Sequence, residues 1–239
     1  MATIMTDCIE DFLAEWESQC DRGNSIELSE AMMHLTLKVV VKALFSSTLS
    51  DTDFKDITNV FKPLLEAVNA RISFPVKMLY RLPLTKNKKY QGYIDTLDGI
   101  IYRIIADRRL ADNKPTDLLQ MLMDATDEET DLPLTDIELR NELMTMFIAG
   151  HETTANAMSW LWTILSSKSD IREKIEQEVD EVLGDRMPDA SDFANLPYCL
   201  KVFKETMRLY PPVPILPRQV ENDTTIGGYH LKGGSGVLF

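Results

Sequence analysis

The residues best suited to chemistry stand together at Ala149-Gly150-His151-Glu152-Thr153-Thr154. A glycine, two threonines and two ionisable groups are poor choices for the interior of a buried helix. Rules broken at one place mark a candidate functional site. Gly150 removes a side chain, so a flat, bulky group could approach the backbone. A threonine hydroxyl can bond a carbonyl one turn back and loosen or bend the helix. That would free a polar notch for a small molecule and water, with Glu152 beside Thr153 to pass protons inward. The His151-Glu152 pair invites comparison with a zinc protease. That motif needs a second histidine three residues after the glutamate, and position 155 is alanine. The competing reading is a satisfied polar patch in a helix bundle, and the residues alone leave both open.

Two further constellations follow. Glu205-x-x-Arg208 is the only E-x-x-R in the chain, and its spacing puts both groups on one helix face, where arginine can take a carboxylate bidentately. Alone it is a commonplace solvated pair. Next, YPPVPILPR is held extended by its prolines. It could lay Val213, Ile215 and Leu216 along a pocket wall and aim Arg218 at an anionic group; the bland alternative is a surface connector. Gly233-Gly234-Ser235-Gly236 is not a phosphate loop, because no helix or Lys-Ser/Thr follows it.

The elements that must position these groups are mostly helical. Apolar spacing predicts helices over 3–20, 28–49, 53–72, 87–111 and 117–124, with a loop or short broken helices over 73–86 around Pro75 and Pro83. Thr135 and Glu138 form a capping box after Pro133. From there the pattern is unbroken to about Ser167, roughly 33 residues or ~50 Å, so this helix must cross the middle of a larger fold. A charged surface helix follows over 169–183, then one from Pro197 to Tyr210, stopped by Pro211 and Pro212. The last twenty residues read as a hairpin plus the start of a further strand. Between Glu66 and Asp95 there is no acidic residue but six basic ones, Arg71, Lys77, Arg81, Lys86, Lys88 and Lys89. Interleaved with apolar residues, they suggest either a lid or a surface over 73–90 that touches membrane or an anionic substrate, or a solvated helix–loop–helix face.

The net charge of −13 argues against a nucleic-acid partner. No apolar run approaches a membrane span, and no signal peptide is evident, which gives a cytoplasmic expectation. Three widely spaced cysteines, Cys8, Cys20 and Cys199, without C-x-x-C, suggest a reduced protein with no zinc site. The Asn222-Asp223-Thr224 sequon reads as chance in that setting.

Taken together, A-G-H-E-T-T in a very long helix, then E-x-x-R roughly 50 residues on, then R-L-Y-P-P-V-P, closely resembles the cytochrome P-450 family of haem–thiolate monooxygenases. The resemblance covers the whole chain and implies a mainly α fold, with a long central helix and a small β-sheet near the C-terminus. It places residues 1–239 in one partial domain, running from the D helix through the K helix to the following hairpin. By resemblance, Thr153 is the threonine that hydrogen-bonds dioxygen and Glu152 its acidic neighbour in proton delivery. Ala149 and Gly150 lie against the haem face, and Arg218 contacts a haem propionate. Glu205 and Arg208 form the structural pair that locks the K helix to a later meander. Thr145, Ile148, Ala149, Val213, Ile215 and Leu216 line the substrate pocket, and residues 53–112 form a lid. The implied cofactor is haem b with its iron. The implied partners are a small lipophilic substrate, dioxygen, and a reductase or ferredoxin electron donor. The family's axial cysteine belongs to a Phe-x-x-Gly-x-x-x-Cys-x-Gly loop expected beyond residue 239, so no metal ligand is expected in this chain, and the chain alone is expected to be inactive. The other class of reading is a non-catalytic helical interaction protein that kept the scaffold without haem.

Overall fold

The computed structural model of the chain describes residues 2–46, 50–73, 82, 84–126 and 131–239. The chain divides into two compact units, Met1–Ala155 and Asn156–Phe239, with the boundary inside one long helix.

In the first unit, α1 (Ala2–Asp21), α2 (Leu28–Phe45), α3 (Asp51–Ser73), α4 (Thr85–Leu110) and α5 (Leu118–Asp124) assemble with the first part of α6 (Asp136–Ser167). Apolar residues at helical spacing meet in one core, where Phe45, Phe61, Ile105, Leu119, Leu143 and Phe147 are buried. Each such side chain contributes about 1.5–3 kcal/mol of transfer free energy. Helix α1 buries Cys8 and Phe12 and is tied to α2 by Lys38 Nζ donating to Asp11 at 2.7 Å. Helix α3 runs through Pro63, which forfeits one ladder hydrogen bond.

Polar joints fix the helix ends. Thr135 and Glu138 make the expected box: the Thr135 amide and hydroxyl donate to the Glu138 carboxylate at 2.8 and 2.7 Å. Asp117 caps α5 by accepting the Gln120 amide at 2.9 Å. Arg140 of α6 donates through Nε to Asp98 of α4 at 2.7 Å, and Arg103 of α4 donates to the buried carboxylate of Asp53 on α3. Helix α2 ends at Phe45, short of the expected residue 49. Ser46, at φ 56°, closes it in a region L residues rarely adopt, and its hydroxyl donates to Asp117 at 2.8 Å. Residues 47–49 lie outside the described residues, as do 74–81 and 83, which make up most of the expected loop over 73–86 and half of the expected surface over 73–90. Helix α4 begins at Thr85, two residues before the expectation. Arg71 lies over the Tyr90 ring, 3.4 Å from its centroid.

The second unit holds the rest of α6, α7 (Ser169–Leu183), a 3-10 turn (Ala190–Asn195), α8 (Pro197–Leu209) and four short strands. These are β1 (Pro217–Gln219), β2 (Thr224–Ile226), β3 (Tyr229–Leu231) and β4 (Gly236–Leu238), forming two antiparallel pairs, β1–β4 and β2–β3. The expected hairpin is β2–β3: Gly227 and Gly228, at φ 58° and 86°, form its two-residue turn. The expected further strand, β4, turns back to pair with β1 in the register Arg218↔Val237. Among the described residues, no helix is long and apolar enough to cross a membrane.

Candidate functional site

Helix α6 carries the central constellation in its first-unit portion. Thr145, Ala149 and Thr153 recur every four residues, so they share one face. Thr145 and Ala149 are exposed and Thr153 is half-buried. The Thr153 hydroxyl donates to the Ala149 carbonyl at 2.6 Å, and Thr145 does the same to Asn141 at 2.8 Å. Both back-bonds are of the kind expected from the sequence, yet α6 remains helical throughout. The notch is therefore a shallow strip of small side chains and carbonyls, not a break. Glu152 and Ile148 are half-buried on its flanks.

The rear of α6 is packed. His151 is buried, and its Nε2 lies 2.9 Å from the Met33 carbonyl of α2. A carbonyl only accepts, so Nε2 carries the proton. The Phe61 ring stands edge-on to His151, centroids 4.3 Å apart, and edge-on to Phe147 at 5.1 Å. Burial pushes the imidazole down to about 4, against the opposing pull of the Met33 carbonyl, so the ring is neutral near pH 7. Among the described residues, its Nδ1 is buried without a hydrogen-bond partner. An open cleft of about 300 Å³ beside it is lined by Met33, His34, Leu37, Thr58, Phe61 and His151, with Glu30 and Lys62 at its polar edge.

Gly150 lies against α2. A side chain added there would meet Val40 Cγ2 of α2 at 3.2 Å. The close approach that glycine permits is made by a neighbouring helix, so its smallness is already explained by helix packing. The open strip is offered by Ala149, one residue earlier.

The second unit holds the other expected residues. Arg208 donates to Glu205 through Nε and Nη2, both at 2.7 Å, in an exposed bidentate pair. The guanidinium holds the Glu205 carboxyl below its ordinary range. Arg218 is exposed on β1 and donates to the Pro217 carbonyl at 2.8 Å. Val213, Ile215 and Leu216 are about half exposed, with Leu216 exchanging two hydrogen bonds with Phe239.

Sequence reasoning missed two supports. The Glu178 carboxylate of α7 accepts the Tyr198 and Cys199 amides at 2.8 Å each, capping α8 from another helix. Burial would raise Glu178, but the two donors prevail and hold it low. Trp160 also stacks on Tyr210, centroids 4.1 Å and planes 9° apart. The cap had no local signal, because donor and acceptor are 20 residues apart. The buried role of His151 did have one: it lies four residues after Phe147 on the apolar face of α6.

The sequence matches the cytochrome P450 family over residues 1–239. It is 34% identical to cyclooctatin synthase of Streptomyces melanosporofaciens over 89% of this chain and 47% of that one. It is 27% identical to cyclooctat-9-en-7-ol 5-monooxygenase of the same organism over 95% of this chain and 49% of that one. Among solved structures, retinoic acid bound cyanobacterial CYP120A1 matches with a TM-score of 0.79 and 25% identity, over 98% of this chain and 50% of that one. The chain belongs to the cytochrome P450 family. It spans about half the length of each of these three.

The family's haem can be tested against the side chains present. The strip at Thr145, Ala149 and Thr153 is free of bulk and suits one face of a flat ring. Of the cysteines, two carry raised thiols and the third is exposed. Cys8 is fully buried, and burial pushes its thiol up. Burial and then Glu178 push Cys199 up to about 11. Cys20 is exposed in the last turn of α1.

Proposed function

We propose that this chain carries the oxygen-side wall of a haem-dependent monooxygenase acting on a small lipophilic substrate. The observation that supports this most is the Thr153 hydroxyl bonded to the Ala149 carbonyl on an open strip of α6, in a chain of this family. Haem b, when bound, would supply dioxygen activation, by which one oxygen atom is inserted into a C–H bond and the other is reduced to water with two electrons from the donor and two protons. The protein's contribution is to bind, orient and control protons. Ala149 leaves room for the ring's face. Thr153 can turn its hydroxyl between the Ala149 carbonyl and an incoming acceptor, and the half-buried Glu152 beside it is the proton source. Thr145 and Ile148 would meet substrate from α6; in the second unit, Val213, Ile215 and Leu216 offer apolar surface and Arg218 a cation for a propionate. Glu205 and Arg208 would serve as a structural pair. We take both units as parts of one domain and residues 53–112 as a lid. A reductase or ferredoxin would supply electrons. The lipophilic substrate class is supported by relatives named for cyclooctat-9-en-7-ol and retinoic acid.

The test is Thr153→Ala in the haem-loaded enzyme. Oxygen consumption should continue while product per oxygen falls by about 100-fold, the low end of what a positioned proton-transfer group contributes. Unchanged coupling would remove Thr153 from proton delivery.

A further inference from the structure

The rear of α6 is held against α2 at two adjacent positions. Val40 fills the space at Gly150, and the Met33 carbonyl takes the His151 imidazole; both belong to α2. Met33 lies inside α2, where its carbonyl serves the helical ladder and also accepts the Thr36 hydroxyl at 3.3 Å. It does not need the imidazole. The imidazole is buried with Nδ1 unpartnered, a cost that an apolar side chain of similar volume would avoid. A directional bond that adds so little stability is still well suited to fixing an angle.

We propose that His151 is a positioning residue for Thr153, setting the rotation of α6 about its own axis through the bond to Met33. The proposal rests on the reading of Thr153 given above. At about 100° per residue, Ala149 and Thr153 each lie about 160° from His151, so the anchor stands directly behind the strip. Side-chain atoms roughly 5 Å from the axis move about 1 Å for a rotation of about 10°. A displacement of that size at a reacting group can cost on the order of 100-fold in rate. Phe61, edge-on to the ring, keeps the imidazole from swinging away from Met33.

Two variants separate angle from bulk. His151→Gln keeps a long side chain whose amide N–H can reach the Met33 carbonyl; His151→Leu keeps volume and removes the donor. In the isotope-labelled chain, the Ala149 and Thr153 amide resonances should move in His151→Leu and return towards wild type in His151→Gln. In the haem-loaded enzyme, the share of consumed oxygen released as peroxide should rise about threefold or more in the leucine variant, with KM unchanged, and fall back in the glutamine variant. A wild-type peroxide share in His151→Leu, or no recovery in a folded His151→Gln, overturns the proposal. Should the leucine variant not fold, His151→Asn, whose amide is one carbon too short, takes its place against glutamine. Thr153→Ala keeps the two claims apart. If it leaves the peroxide share unchanged while the amide resonances still respond at residue 151, the proton-delivery reading falls and the anchoring stands.

Discussion

Arg108 and Asp117 form a bidentate ion pair, with Nη–Oδ distances of 2.6 and 2.7 Å and both side chains almost wholly buried. The same carboxylate caps α5 and holds the Ser46 hydroxyl. Burial pushes Asp117 up, but Arg108, the Gln120 amide and Ser46 outweigh it and keep the carboxyl ionised below its ordinary range. Removing one partner strands the other charge. Asp117→Asn should therefore lower stability by about 3–5 kcal/mol, measured by urea unfolding at pH 7. A loss under about 1 kcal/mol would mean that the pair behaves as a solvated one.

The buried imidazole makes stability fall on the acid side. Unfolded histidine binds its proton below about pH 6.5, while folded His151 resists until about 4. Between those values the unfolded state binds more protons, so stability falls as pH drops, by up to about 3 kcal/mol in all. Above about 6.5 the effect is absent, and below about 4 it grows no further. The stability of wild type minus that of His151→Gln, followed from pH 7 to 4, should decline by this amount; a flat difference would show the ring to be solvated.

Gly150 and Val40 should behave as one packing unit. Alanine at 150 gains about 1 kcal/mol of helix propensity but presses its Cβ to 3.2 Å from Val40 Cγ2. Gly150→Ala alone should therefore change stability by less than about 1 kcal/mol, while in a Val40→Ala background it should stabilise by about 1 kcal/mol. A double-mutant cycle by chemical unfolding measures the coupling, and a coupling of zero would mean the two side chains do not compete for space.

Glu178 should matter to α8 despite lying on α7. Glu178→Ala removes the acceptor of two amides and should cost about 1–2 kcal/mol, as for a lost N-cap. Hydrogen exchange at Tyr198 and Cys199 should accelerate selectively; uniform acceleration across the second unit would point to loss of packing instead.

A carbon monoxide difference spectrum tests the cysteine assignment. The 239-residue chain mixed with haem and reduced should give no thiolate-type Soret band: Cys8 is closed inside helix packing, the Cys199 amide is bound by Glu178 at the start of α8, and Cys20 stands on the surface at the end of α1. A thiolate-type band would show that one of the three can take the role.

The helices were legible in the sequence because their apolar spacing is regular and their caps are local. Thr135–Glu138 and Gly227-Gly228 are contiguous signals, and both hold. Ala149 and Thr153 drew notice because polar groups interrupt an apolar helix there, whereas Thr145 entered only through the family resemblance. What could not be read was direction. Gly150 broke the same local rule as its neighbours, yet it answers to Val40, 110 residues earlier in the chain. Glu178 and Asp117 look like ordinary surface carboxylates until distant amides and a guanidinium converge on them. The end of α2 at Phe45 was also hidden, since Ser46 closes it in a conformation no sequence rule assigns to serine.

The β-sheet segment has a kinetic consequence. Every pairing in it closes between Leu216 and Phe239, with β2–β3 nested inside β1–β4. The chain entropy lost in closing such short loops is small, and hairpins of this size form within about 1–10 μs. So short a ladder is only marginally stable by itself. This ribbon should therefore open and reform many times during the slower packing of the helices, and its order is settled only when that packing is complete.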